Sequence, residues 1–332
     1  MRTHLIVSLL ALIAAAAAAA EPLVVYSGRS ESLIGPAIER FEAESGVEVK
    51  VRYGGTAELA ALLLEEGSRT PADVYIAQDA GALGALAEAG RLRSLPGELT
   101  GLVDPAFRSP EGVWVGVTGR ARTIVYNTNA LTETDVPTSV FELTKPEWKN
   151  RVAWAPANGS FQSFVSAMRV THGDDRTREW LLGMIANGAT DYPKNSAIVR
   201  AVGAGEIDLG LVNHYYLMRF LAEDPGFPAQ NAFPSAGDPG ALVNVAGAGV
   251  LRSAKRDAAT LENAHSLIAS LLSEEAQEDF AARTFEYPLV AGIAPPEGLR
   301  PLDQLEPPAI DLSDLSDLRG TLDMLRETGA LP

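Results

Sequence analysis

Leu23-Val24-Val25-Tyr26-Ser27-Gly28-Arg29-Ser30 begins as a short β-branched run and ends in small and polar residues. Beyond it, Leu33, Ile34, Ala37, Ile38 and Phe41 recur at helical spacing until Gly46, and residues 47–53 alternate as a second strand. Gly54-Gly55-Thr56 opens a helix over 58–66 that stops at Gly67, residues 73–77 read as a third strand, and 80–89 as a third helix. Strands and helices alternating at this pitch predict a parallel α/β unit, in which ligands sit at the loops beyond the carboxyl ends of the strands. Here those loops are 27–30, 54–56, and Gln78 with Asp79. Each precedes a helix N-terminus, where free amides and the helix dipole favour an anion. One such loop is ordinary turn and capping chemistry. Three along one sheet edge predict a cleft, with Ser27, Gly28, Arg29, Ser30 and Gln78 as candidate pocket residues.

The second half aims similar loops at a common edge. Gly119-Arg120-Ala121-Arg122 runs into the β-branched strand Thr123-Ile124-Val125-Tyr126, so Arg122 is either a solvated charge or a bidentate anion ligand. Residues 151–154 form a strand, and Asn158-Gly159-Ser160 then starts a helix that reaches Met168. Asn195-Ser196 precedes a helix over 197–204, and the strand 208–212 runs into Asn213-His214-Tyr215-Tyr216. Residues 239–251 read as a long strand crossing back between domains, with helices over 258–272 and 274–282 and a last helix over 313–328.

Tyr215 and Tyr216 are adjacent. Neighbours diverge on a strand, but the first turn of a helix can swing both toward one cleft. Two phenol oxygens delivered together make a hard anionic site, because a trivalent cation displaces their protons despite an ordinary pKa of about 10. Ferric ion is the matching guest. Taken in isolation, such a pair is more often simple packing, so its setting must decide.

The chain holds 332 residues, 43 Asp and Glu against 27 Lys and Arg, and no cysteine. A formal charge of −16 opposes nucleic acid and anionic membranes as partners. Without cysteine there is no disulfide, thiolate metal site, cysteine nucleophile or lipid-anchored cysteine. Residues 1–20, with Arg2, an apolar run and a closing stretch of alanines, read as a secretory signal peptide too short for a membrane span. The mature chain is expected to begin near Glu21 as an exported, periplasmic monomer of two domains, with no membrane insertion after signal removal.

Val24-Val25-Tyr26-Ser27-Gly28-Arg29, Arg69-Thr70-Pro71-Ala72-Asp73-Val74, Lys194-Asn195-Ser196, Val212-Asn213-His214-Tyr215-Tyr216, Asp238-Pro239-Gly240-Ala241 and Glu286-Tyr287-Pro288-Leu289 follow one another over nearly the whole chain. In that order they resemble the ferric-ion-binding, periplasmic substrate-binding proteins of bacterial iron(III) ABC transporters. The resemblance implies a two-lobed α/β fold, each lobe a mostly parallel sheet flanked by helices, with a hinge of crossing strands. Residues 21–122 with about 246–297 would form the amino-terminal lobe, and about 123–245 with 298–332 the carboxy-terminal lobe. Tyr215 and Tyr216 correspond to ferric ligands, Asn158, Gly159, Ser160, Asn195 and Asn213 to positions that hold a phosphate, and Arg122 to an arginine that supports carbonate. Such a protein closes on ferric ion with its accompanying anion and presents it to an inner-membrane ABC permease; it is not an enzyme.

Three positions depart from that pattern. Where some relatives place a His in the first loop and a Glu after the third strand, this chain has Ser30 and Gln78, and where others add a tyrosine it has Phe161. The remaining ligands are expected among Glu31, water, or one or two anions, and His214 is expected to point away from the cleft. Two alternatives stand beside this reading: the same fold holding an organic or phosphorylated small molecule, and an exported two-lobed hydrolase. Against the hydrolase, His4, His172 and His265 have no triad companions in view, and no Gly-x-Ser-x-Gly or His-Glu-x-x-His occurs.

Overall fold

The computed structural model describes residues 21–253 and 257–332, so the signal-peptide reading of 1–20 lies outside the described residues. Strand β1 (Leu23–Ser27) pairs in parallel with β2 (Val49–Tyr53) and β3 (Val74–Ala77). Helices α1 (Glu31–Ser45), α2 (Thr56–Glu66) and α3 (Ala80–Glu88) follow these strands in turn. Gly46 ends α1 at φ 70°, a left-handed turn that glycine takes without a Cβ penalty. A single turn, α4 (Gly97–Thr100), precedes the long strand β4 (Val115–Asn127).

The second parallel core is β5 (Val152–Trp154) between β6 (Thr190–Asp191) and β7 (Leu209–Asn213). Helices α5 (Gly159–His172), α6 (Asp174–Ala186), α7 (Asn195–Ala204) and α8 (His214–Glu223) surround it. Trp154, Phe161, Phe164 and Trp180 form an aromatic cluster under α5, with Phe161 fully buried 5.5 Å from Trp154. Then come β8 (Ala229–Ala232), β9 (Val243–Val250), α9 (Ala258–Leu271), α10 (Glu274–Thr284), β10 (Tyr287–Pro288) and α11 (Leu318–Glu327). The strand order is β2-β1-β3-β9-β4-β7-β5-β6, with β8 and β10 also on β4.

Strand β4 belongs to both lobes. Its first part pairs antiparallel with β9 as far as Ala121↔Val243, and from Arg122↔Asn213 onward it pairs with β7 and β8. It is buried along its whole length, as a strand with packing on both faces must be. The passage expected as one strand over 239–251 differs at its start. Pro239–Ala241 makes a 3-10 turn, because Pro239 has no N–H for a ladder and the Asp238 carboxylate accepts from Gly240 N–H at 2.7 Å.

The tail also departs from the expected single helix over 313–328. Leu312–Ser316 forms a 3-10 segment on α3, so close that a Cβ on Gly81 or Gly84 would lie 2.5 Å from the Leu315 carbonyl oxygen or 2.3 Å from that of Ser313. Asp317 then accepts from Gly320 N–H at 2.9 Å and caps α11, which packs on α5 through the Arg169–Asp317 pair at 3.0 Å and the Ser166 and Thr321 hydroxyls at 2.7 Å. One short tail therefore touches both lobes. No helix among the described residues is long and apolar enough to cross a membrane.

Candidate functional site

The buried strand β7 delivers the tyrosines. Asn213 keeps an extended backbone, φ −89° and ψ 146°, and α8 starts at the next residue, so Tyr215 and Tyr216 fall in its first turn. Their ring centroids lie 4.4 Å apart at a tilt of 31°. Arg219, one turn further along, lies over both rings at 4.9 and 5.8 Å, as helical i+4 and i+3 spacing allows. Burial pushes the Tyr215 phenol well up, the neighbouring Tyr216 phenol adds to this, and Arg120 opposes it. The Tyr215 phenol therefore carries its proton until a strong cation displaces it.

Arg120 and Arg122 are two apart on β4 and share one face of the strand. Opposite them in register stand Asn244 and Asn213, respectively. Arg122 is 3 % exposed; its Nη1 donates to Asn213 Oδ1 at 3.2 Å and to Ser160 Oγ at 3.4 Å, while its buried Nη2 has no protein partner. Desolvation lowers its pKa to about 10 and the two phenols work the other way, so it remains a cation at neutral pH. Arg120 Nη2 donates to the Gln78 carbonyl, and its Nε is likewise buried without a partner. Among the described residues no carboxylate pairs with Arg122. A buried guanidinium with a spare donor and no counter-ion is a strong anion receptor.

Four helix starts converge on the same space, a cavity of about 930 Å³. Thr56 and Ala57 of α2, Asp79 and Gly81 at α3, Gly159 and Ser160 of α5, and Tyr215 and Tyr216 of α8 line it with Arg120, Arg122, Gln78, Asn158, Asn213 and Asn244. Asn158 caps α5, its Oδ1 accepting from Ser160 N–H at 3.0 Å and Ser160 Oγ at 2.6 Å. Asn195 is fully buried behind this pair and does not line the cavity; its Nδ2 donates to Ser160 Oγ at 3.0 Å and so positions it.

The first loop is placed differently from the cleft residues. Ser27, Gly28, Arg29, Ser30 and Glu31 are not among the residues lining the cavity. Ser27 is buried and its hydroxyl donates to the Arg29 carbonyl, and Gly28 lies under α2, where a Cβ would come 2.2 Å from Thr56 Oγ1. Arg29 is 1 % exposed and paired with Glu286 at 3.0 Å, because a guanidinium taken out of water takes the internal carboxylate beside it. Ser30 and Glu31 face solvent at the start of α1. His214 is fully buried and turned away from the phenol pair: its Nδ1 accepts from Ala121 N–H at 3.1 Å and its Nε2–H donates to the Phe285 carbonyl at 2.7 Å.

Sequence reading did not single out Arg120, Arg219, Asn244 or the tail residues Leu315, Ser316, Leu318 and Arg319, which also line or frame the site. Arg120 was findable from its i,i+2 relation to Arg122. Asn244 and the tail required the register of β9 and the path of the chain after Pro308. Among the described residues no three His, Asp or Glu side chains gather into a metal-binding group.

Two lobes sharing crossing strands, with phenols, guanidiniums and helix starts facing one interlobe cavity, define a solute-binding protein with a polar ligand site. The chain belongs to the bacterial extracellular solute-binding protein family, whose model matches residues 69–307, and it is a periplasmic binding protein. It is 33% identical over 327 residues to the Fe(3+)-binding periplasmic protein of Serratia marcescens, covering 97% of this chain and 95% of that protein. It is 35% identical to the major ferric iron-binding protein of Neisseria meningitidis serogroup B over 332 residues, 96% of this chain and 97% of that one. Its fold is similar to the crystal structure of iron-bound HitA from Pseudomonas aeruginosa, with a TM-score of 0.82, 35% identity, and coverage of 93% of this chain and 99% of that chain.

Proposed function

We propose that this protein captures ferric ion together with an anion, carbonate or phosphate, between its lobes and delivers the closed form to an inner-membrane ABC permease. The observation that supports it most is the Tyr215–Tyr216 pair, 4.4 Å between ring centroids, in a cavity it shares with the unpaired Nη2 of Arg122. Two phenolates leave a trivalent ion one charge short of neutrality and its shell unfilled; an anion on Arg122, Asn158, Ser160 and Asn213 supplies both. Residues 21–122 with about 246–297 close against about 123–245 with 298–332 around the point where β4 exchanges partners. The iron-binding names of the Serratia and Neisseria relatives agree with this reading and with a binding rather than catalytic role.

The cavity of about 930 Å³ favours a second reading, an organic or phosphorylated anion held by the same helix starts, since a lone ion with carbonate needs far less room. Ferric loading separates the two. The iron reading expects a visible tyrosinate-to-iron absorption that Tyr215→Phe or Tyr216→Phe abolishes or strongly weakens. Wild-type protein that takes up no iron and shows no such band refutes it.

A further inference from the structure

We propose that residues 312–316 are a latch: carried by the carboxy-terminal lobe and seated on α3 of the amino-terminal lobe, they restrain the angle between the lobes and leave α3 when the cleft opens wider. The inference stands whichever ligand the cleft takes.

The path of the tail motivates it. After β10 the chain passes to the carboxy-terminal lobe, where Arg300 lies over Phe233 at 5.0 Å and the Glu306 carbonyl accepts from Gly237 N–H at 2.9 Å. It then returns to the amino-terminal lobe, where Leu312 and Leu315 are buried and the 3-10 segment lies on α3. At once it goes back, since Asp317 meets Arg169 of α5 at 3.0 Å and Arg169 Nη1 donates to the Asp317 carbonyl at 3.2 Å. A short loop fastened at both ends to one lobe therefore sits on the other.

The two attachments differ in kind. On α5, Thr321 Oγ1 adds contacts to Ser166 Oγ at 2.7 Å and to Arg169 Nη1 at 3.0 Å, and charge-assisted hydrogen bonds are the stronger sort. On the amino-terminal side, among the described residues, one hydrogen bond joins the segment to the lobe, from Trp114 Nε1–H to Ser313 Oγ at 3.2 Å. Close fit does the rest, with the Ser313 carbonyl in space that a Cβ on Gly84 would fill. When the lobes part, the loop thus leaves α3 and stays with α5. It has little slack to follow α3: Pro307 and Pro308, with φ fixed by their rings, come directly after the Glu306 anchor, and Asp317 directly after Ser316. Helices α3 and α5 both line the cavity, as do Leu315 and Ser316 of the loop. The loop spans the gap that widens as the lobes turn about the point where β4 exchanges partners.

The chain has no cysteine, so the full mature protein can carry spin labels at Glu65→Cys on α2 and Leu182→Cys on α6, both exposed, and the distance between them reads the lobe angle. Gly84→Ala and Leu312→Ala loosen the seat on α3. Arg178→Ala is the control, because its surface pair with Glu327 at 3.0 Å joins α11 to α6 within one lobe. In the metal-free protein, Gly84→Ala and Leu312→Ala are expected to expose residues 309–312 to protease and to make the distance distribution longer and broader, while Arg178→Ala does neither. Loaded from ferric nitrilotriacetate in bicarbonate, the same two variants release iron to a competing chelator at least about fivefold faster. A protease-exposed tail with the wild-type distance distribution overturns the latch and leaves a tail that only adds stability. A tail that stays protected in both variants overturns it too, since the seat on α3 is then not what holds it. A wild type that takes up no iron refutes the ferric reading alone, and the distances still decide the latch.

Discussion

Replacing Arg29 by Met is expected to destabilise the metal-free protein without disabling the cleft. Arg29 Nη2 meets Glu286 Oε2 at 3.0 Å and its Nη1 donates to Thr118 Oγ1 at 3.1 Å; both members of the ion pair are at most 1 % exposed. The pair ties the loop after β1 to β4 and to the residue before β10. Methionine fills much of the volume but leaves Glu286 with the Thr118 hydroxyl and the more distant charge of Arg120. Removing one partner of a buried pair costs about 3–5 kcal/mol. At roughly 2 °C per kcal/mol for a chain of this size, the melting midpoint falls by about 6–10 °C at pH 7. The pH dependence follows from Glu286. Burial alone would raise its carboxyl, but Arg29, Arg120 and the Thr118 and Arg29 hydrogen bonds outweigh that and hold it below the usual carboxylate range. A depressed folded-state pKa contributes stability above the unfolded value of about 4.3 and loses it as pH falls through the folded value. The wild-type advantage over Arg29→Met is therefore full at pH 7 and shrinks below about pH 4. Calorimetry of the metal-free protein across pH 3–7, with Glu286→Gln and the double variant closing a cycle, reads this directly. A midpoint within 2 °C of wild type, together with lost anion dependence of ligand loading, refutes the structural role and returns Arg29 to the ligand.

Gly84→Ala places a methyl 2.3 Å from the Ser313 carbonyl oxygen and is expected to lift the tail from α3 at about 1–3 kcal/mol, read by urea unfolding and by faster proteolysis near residues 309–312. A variant as stable and as resistant as wild type contradicts that contact. Arg122→Ala removes the donors facing Asn213, Ser160 and the cleft; charged hydrogen bonds of about 1.5–3 kcal/mol correspond to roughly 10- to 100-fold weaker ferric loading at fixed bicarbonate or phosphate. Loading that keeps its wild-type anion dependence places the anion elsewhere.

The tyrosine pair and its strand-to-helix setting were legible because both depend on local pattern: a buried run, an extended Asn213, then helical spacing. The same holds for Asn158, Gly159 and Ser160 at the start of α5, where capping chemistry is written into adjacent residues. The loop after β1 shows the limit of that reasoning. Ser27-Gly28-Arg29-Ser30 has the composition of an anion loop, but Glu286 is 257 positions away from Arg29, and nothing near residue 29 announces it.

Alternating strands and helices, the β-branched strand that follows Arg122, and two adjacent phenols at a helix start were determined by the sequence alone. They follow from periodicity and from what a residue does to its near neighbours. Tertiary structure decided which charges are spent on one another and which remain free. Burial joined Arg29 to Glu286, turned His214 away between two backbone groups, gave the α3 amide to Asn244, and left the Arg122 Nη2 at the cavity without a hydrogen-bond partner in the protein. Those assignments depend on distances between segments far apart in the chain, where desolvation makes each pairing strong and each unpaired group a receptor.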